Sequence, residues 1–319
     1  MDLTAVIQLG VGMAILSAGG HYLVEGATRL ALLARISSAA VGLTVVALGT
    51  SMPELAVSLG AAMRGAKAIS YANVVGSNII NIGVILGIAA LLRAIPVPRQ
   101  TIRLEYPFML AATIVCLLVA RDGDIDRLEG GVFVVAIVAF LTYMVRRSRG
   151  ETDTPEAREL ARTRIDAGGG WGPSIAMISL GVVGLAAGAE LMVRGAVTLA
   201  DAIGVTQRVI GLTVIAMGTS LPELATCIVA ARRNASDILL GNIVGSNIFN
   251  LLGILGITAL LVEVPLDPEA VTIDNWVMLG FAAGLFPLMA WGRRLAWGSG
   301  TVLLVAFVIY LIELIRDAM

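Results

Sequence analysis

Apolar runs separated by short polar clusters dominate the chain, and ten of them approach the roughly 20 helical residues needed to cross about 30 Å of hydrocarbon. They cover residues 3 to 25, 37 to 61, 69 to 92, 105 to 120, 128 to 146, 173 to 195, 208 to 230, 238 to 262, 273 to 291 and 297 to 315. Only helices and closed barrels satisfy the backbone in hydrocarbon, and barrel strands of about ten residues are much shorter than these runs. The pattern predicts an all-α integral membrane fold.

Composition agrees. A chain of 319 residues that is 58% hydrophobic and 14% charged, with a mean hydropathy of +0.91, cannot hide its apolar surface in one water-soluble core. The lipid bilayer is the expected partner. A net charge of -1 argues against nucleic acid, and no obligatory protein partner is evident. Met1-Asp2-Leu3 offers no basic n-region, so the first run is expected to remain as a span. Cys116 and Cys227 lie inside apolar runs and read as core filler.

One stretch occurs twice. Gly49 to Gly87 and Gly218 to Gly256 align without a gap at an offset of 169, with 22 of 39 positions identical. Val41-Gly42-Leu43-Thr44-Val45 likewise matches Ile210-Gly211-Leu212-Thr213-Val214. Each half then holds five spans: residues 1 to 147, a cytoplasmic linker over 148 to 172 that includes Arg158, Arg162 and Arg164, and residues 173 to 319. Five is odd, so the second half enters from the opposite side, giving ten transmembrane helices as two inverted five-helix repeats. Inverted repeats with broken segments at matching positions point to a transporter site near the midplane.

Arginine sets the orientation. Arg93, Arg99, Arg103, Arg146, Arg147, Arg149, Arg232, Arg233, Arg293 and Arg294 fall on one side, which the positive-inside rule makes cytoplasmic. Glu263, Asp267, Glu269 and Asp274, with Asp122, Asp124, Asp126 and Glu129, fall on the other. Both termini are expected outside the cytoplasm, in the cell (inner) membrane. Trp276, Trp291 and Trp297 stand at segment ends as interfacial anchors. Glu25 and Arg29 are spaced as an ion pair, and His21 reads as a hydrogen-bonded helix residue.

The repeated stretch carries the chemistry. Pro53 and Pro222 remove a backbone donor and disfavour helix at Met52 and Leu221. A break at membrane depth persists only where freed backbone lines a polar cavity. Loosened carbonyls, the hydroxyls of Thr50, Ser51, Thr219 and Ser220, and the carboxylates of Glu54 and Glu223 form a set of oxygen donors. Asn73, Ser77 and Asn81 share one helical face, as do Asn242, Ser246 and Asn250. An all-oxygen set with two carboxylates suits a hard cation such as Ca²⁺, or Na⁺, better than a soft metal.

GTSMPEL with GSNIIN, and GTSLPEL with GSNIFN, resemble the paired alpha-repeats of the calcium/cation antiporter superfamily, most closely its microbial sodium/calcium exchanger branch. The resemblance implies Ca²⁺ exchanged for Na⁺ by alternating access, with no permanently bound cofactor. It implies a central site of Glu54 and Glu223 with Thr50, Thr219, Ser77 and Ser246, flanked by Ser51, Ser220, Asn81 and Asn250, with the carbonyls of Ala47 and Ala216 serving Na⁺. It also implies gating by the first and sixth spans, whose glycines make smooth faces for sliding and for static packing alike. Sodium/calcium exchangers resembling this chain carry an acid where Asn250 stands, and asparagine at both positions resembles proton-coupled relatives, which usually replace GTS with a GN-type motif. H⁺-coupled exchange is therefore the alternative, and a cation channel a more remote one. The absence of HExxH, GxSxG and Walker A motifs argues against an enzyme or an ATP-driven pump.

Overall fold

The computed structural model describes residues 3–63, 67–152, 170–202, 216–262, 264–265 and 273–317. The middle of the expected linker with its three arginines, the start of the expected span 208 to 230 with Ile210 to Val214, and Glu263, Asp267 and Glu269 lie outside the described residues. Helices make up nearly all of what is described. They are α1 (Leu3–Ala34), α2 (Ser38–Thr50), α3 (Met52–Met63), α4 (Ser70–Leu92), α5 (Thr101–Asp122) and α6 (Arg127–Thr152). The second half gives α7 (Trp171–Ala202), α8 (Ala216–Thr219), α9 (Leu221–Arg232), α10 (Ser236–Leu261), α11 (Asn275–Ala290) and α12 (Trp297–Asp317).

Among the described residues seven helices are long and apolar enough to cross a membrane, or eight if α2 and α3 count as one broken span. α11 is shorter, at 16 residues. Among the described residues α6 runs through Thr152 and α7 from Trp171. The acidic turn before α6 has a local use, because Glu129 N–H donates to Asp126 Oδ1 at 2.8 Å and Asp126 N–H to Glu129 Oε2 at 2.9 Å. This reciprocal pair satisfies donors at the helix start that have no intrahelical partner. Trp276, Trp291 and Trp297 are all exposed at helix ends.

Burial ranks the helices. The most apolar windows of α4 and α10 are 83% and 89% buried, against 17–39% for the other spans. α6 and α12 instead expose Val132, Val135, Val138, Val302, Val305 and Ile309, faces suited to lipid chains.

The chain divides into two compact units, Met1–Pro53 with Thr142–Asn242, and Glu54–Leu141 with Ile243–Met319. Each unit draws on both sequence halves. In the first, α1 and α7 run antiparallel, because as positions rise along α1 through Ala5, Gly12, Gly19 and Gly26 their neighbours fall through Gly195, Gly188, Gly181 and Ile178. A Cβ added to Gly188 would meet Leu16 N at 2.8 Å and Gly12 O at 2.9 Å, so small residues are what let the two backbones touch. Gly12 and Gly181, Gly19 and Gly188, and Gly26 and Gly195 are repeat equivalents. The first helices of the halves therefore cross through matching glycines with a local two-fold relation.

The second unit repeats the device. Gly130 on α6 meets Gly256 on α10, and Gly300 on α12 meets Gly87 on α4. Two short antiparallel ladders accompany these crossings. β1 (Ile95–Pro96) pairs with β4 (Arg294–Leu295), and β2 (Asp124–Ile125) with β3 (Val264–Pro265). The first ladder ties the loop after α4 to the loop before α12, and the second ties the loop before α6 to the segment after α10.

Candidate functional site

Both proline breaks form, at Ser51 and Ser220, one residue ahead of Met52 and Leu221, which are themselves helical and open α3 and α9. α2 stops at Thr50, Ser51 leaves helical geometry with φ -86° and ψ 9°, and α3 leaves at 46° to α2. In the second half Ser220 adopts φ -88° and ψ 4° ahead of Pro222. The two breaks have nearly the same backbone because each proline withholds the N–H that would have continued the helix.

In the first unit Thr50, Ser51, Thr219, Ser220 and Glu223 are all buried. Ser51 Oγ donates to Glu223 Oε1 at 2.7 Å, joining the hydroxyl of one break to the acid of the other. Thr50 Oγ1 lies 3.3 Å from Ala47 O and 3.2 Å from Asn242 Oδ1. Ala216 lies in α8, one turn before the second break. The described hydrogen bonds thus bring together Thr50, Ser51, Ala47 and Glu223 of the expected set.

In the second unit Glu54, 1% exposed, is followed by the polar face of α4. Ser77, Asn81, Ser246 and Asn250 are buried there. Among the described residues, Ser77 Oγ, Asn81 Oδ1 and both polar atoms of the Asn250 amide have no protein partner. Each such buried atom costs about 1–3 kcal/mol unless something binds it, and the oxygens among them fit a dehydrated cation. α4 continues through a π-helical turn at Asn81–Leu86 and α10 through one at Phe249–Ile254, which packs against the first part of α4. Such turns widen the helix and re-aim the residues that follow.

Three findings add to the sequence reading. Asn73 and Asn242, placed on the donor faces by their spacing, are braced through their amide nitrogens: Asn73 Nδ2 donates to Ser58 Oγ at 2.9 Å and Glu54 O at 3.4 Å, and Asn242 Nδ2 donates to Cys227 Sγ at 3.5 Å. Cys227 is thus a hydrogen-bond acceptor as well as core filler. Ser58 and Cys227 are repeat equivalents, the signal by which these braces could have been found. The asparagines of GSN, Asn78 and Asn247, turn back onto Val74 O and Ile243 O one turn earlier.

Away from the breaks, the expected pair forms, with Arg29 Nε donating to Glu25 Oε1 at 2.9 Å. Arg233 at the end of α9 donates to Glu25 Oε2 at 2.8 Å, and its Nη2 lies 2.7 Å from the His21 ring.

A family model described as sodium/calcium exchanger protein matches residues 4–146 and 173–316. The chain is 36% identical to putative antiporter CaxA of Alkalimonas amylolytica over 97% of this chain and 98% of that relative. It is 30% identical to sodium/calcium exchanger MaX1 of Methanosarcina acetivorans, covering 95% and 96%. A solved structure of the sodium-calcium exchanger NCX_Mj, soaked with Na⁺ and Sr²⁺, superposes with a TM-score of 0.84 at 29% identity, over 98% of this chain and 99% of that one.

Proposed function

The chain belongs to the sodium/calcium exchanger family, and we propose that it is a secondary antiporter moving Ca²⁺ against Na⁺ across the cell membrane by alternating access. The observation that carries this reading is chemical. Two repeat-related proline breaks are each followed by a carboxylate that is 1% exposed, and Ser77, Asn81 and Asn250 hold buried polar atoms without a protein partner among the described residues. Protein interiors do not keep such groups at membrane depth without a use for them.

In this reading Glu54, Glu223, Thr50, Thr219, Ser77 and Ser246 ligate Ca²⁺. Ser51, Ser220, Asn81 and Asn250, with the carbonyls of Ala47 and Ala216, complete the sites for Na⁺. Ten spans form two inverted halves, a plan supported by the antiparallel run of α1 and α7, and both termini lie outside the cytoplasm.

Proton-coupled exchange is the second reading, and one observation favours it. Asn81 and Asn250 are neutral amides, so the ligand set carries two carboxylates that two protons could neutralise as well as two Na⁺. Proteoliposomes decide between them. Ca²⁺ uptake driven by an outward Na⁺ gradient at equal pH is expected. Uptake that responds to a pH gradient and ignores Na⁺ would establish the proton reading, and uptake indifferent to both would leave a channel.

A further inference from the structure

A hydroxyl binds a cation through its lone pairs, so its proton must be taken by an acceptor lying away from the ion. Thr50 is wholly buried, which leaves that role to protein atoms. Two acceptors are within reach, Ala47 O at 3.3 Å and Asn242 Oδ1 at 3.2 Å. In the ligand set above, the Ala47 carbonyl is itself committed to Na⁺. A proton aimed at Ala47 would occupy that carbonyl, whereas a proton aimed at Asn242 leaves both oxygens available.

Asn242 is held for this task from its other end. Its Nδ2 donates to Cys227 Sγ at 3.5 Å, and both residues are wholly buried. With the amide nitrogen on the sulfur, Oδ1 is turned to Thr50. The repeat-equivalent Asn73 is braced in the same way, with its amide on Ser58 Oγ, the equivalent of Cys227, and on Glu54 O.

We propose that Asn242 is a positioning residue for cation binding: it accepts the Thr50 hydroxyl proton and so directs the lone pairs of Thr50 to the ion. The proposal rests on the reading of Thr50 as a ligand. It does not make Asn242 a ligand.

The test is a double-mutant cycle on full-length protein in Na⁺-loaded liposomes, reading Ca²⁺ uptake against external Ca²⁺. Asn242→Ala and Thr50→Val are each expected to raise half-saturating Ca²⁺ about three- to tenfold, the factor of one net hydrogen bond, with the maximal rate little changed. The double variant is expected to be no worse than Thr50→Val alone, because Asn242 acts only through that hydroxyl. Cys227→Val, which frees the Asn242 amide without touching Thr50, is expected to give a smaller shift that also vanishes in the Thr50→Val background. Multiplying effects in the double variant would overturn the proposal, since a merely structural asparagine would weaken both backgrounds alike. Should Asn242→Ala fail to fold, an unchanged half-saturation in Cys227→Val would overturn it. An unchanged half-saturation in Thr50→Val would instead refute the ligand assignment beneath it, a result distinguishable from both.

Discussion

The glycine seam between α1 and α7 makes a quantitative claim that one methyl group can test. A Cβ at Gly181 would lie 2.6 Å from Leu23 N and 2.8 Å from Leu23 Cα, whereas favourable contacts between heavy atoms begin near 3.5 Å. The shortfall approaches 1 Å, and the obstructing atoms are backbone, so no rotamer change relieves it. The helices must separate, which also loosens the neighbouring contacts at Gly12, Gly19 and Gly188. Overpacking of this kind costs about 1–3 kcal/mol. Gly181→Ala should therefore lower the thermal midpoint in detergent by several degrees, at roughly 2–4 °C per kcal/mol. Gly10 supplies the control, because a Cβ there meets nothing within 4 Å. Gly10→Ala should be neutral or stabilising by about 0.5–1 kcal/mol through helix propensity. Equal midpoints for Gly181→Ala and the unmodified protein, or equal losses for the two variants, would refute the seam.

Three further outcomes are expected. Glu54→Gln and Glu223→Gln should each abolish Ca²⁺ uptake while eluting as folded protein, since a divalent ion in a poorly hydrated site loses half its fixed counter-charge; near-normal flux in either would make the acids structural. Cysteines replacing Arg149 and Asp122 should be labelled by a membrane-impermeant reagent from the cytoplasm and from outside respectively; labelling of both from one side would refute the inverted topology. With Asn81 and Asn250 neutral, one Ca²⁺ or two monovalent ions balance the two acids, so exchange in liposomes should carry no net current, whereas a reversal potential matching three Na⁺ per Ca²⁺ would show that neutral oxygens hold the third ion.

Much of this molecule was legible because hydrocarbon punishes ambiguity. Pro53 and Pro222 marked both breaks, since a missing N–H is a local covalent fact that no packing changes. The span limits were less exact, and α1 continues to Ala34 beyond an expected end at residue 25. Glu25 and Arg29 cover each other at 2.9 Å, so charges that look like a boundary in sequence sit inside a helix. The roles on the α4 face were not legible. Spacing of four puts Asn73, Ser77 and Asn81 on one side, but only the fold reveals that Ser58 stands opposite Asn73 and that Ser77 Oγ meets no protein acceptor. The π-helical turns at Asn81 and Phe249 have no compositional signature. The ladders β1–β4 and β2–β3 are two residues long, too short for an alternating pattern to register.

The two-fold relation also bears on energetics. In the alternating-access reading proposed above, identical inverted halves would exchange conformations to turn an inward-open state into an outward-open one of equal intrinsic energy, and only ions and membrane potential would bias the cycle. Departures from identity at equivalent positions therefore carry the intrinsic bias. His21 and Glu25 on α1 are matched on α7 by Glu190 and Arg194. Glu25 pairs with both Arg29 and Arg233 at side-chain exposures of 27%, and Glu190 pairs with Arg194 on its own helix at 59% and 67% exposure. A half-buried pair is worth at most about 1 kcal/mol, roughly a fivefold change in a two-state ratio. The more solvated Glu190 pair is screened further. The ion pairs on α1 are thus large enough to tilt an otherwise balanced two-state equilibrium and too small to lock it.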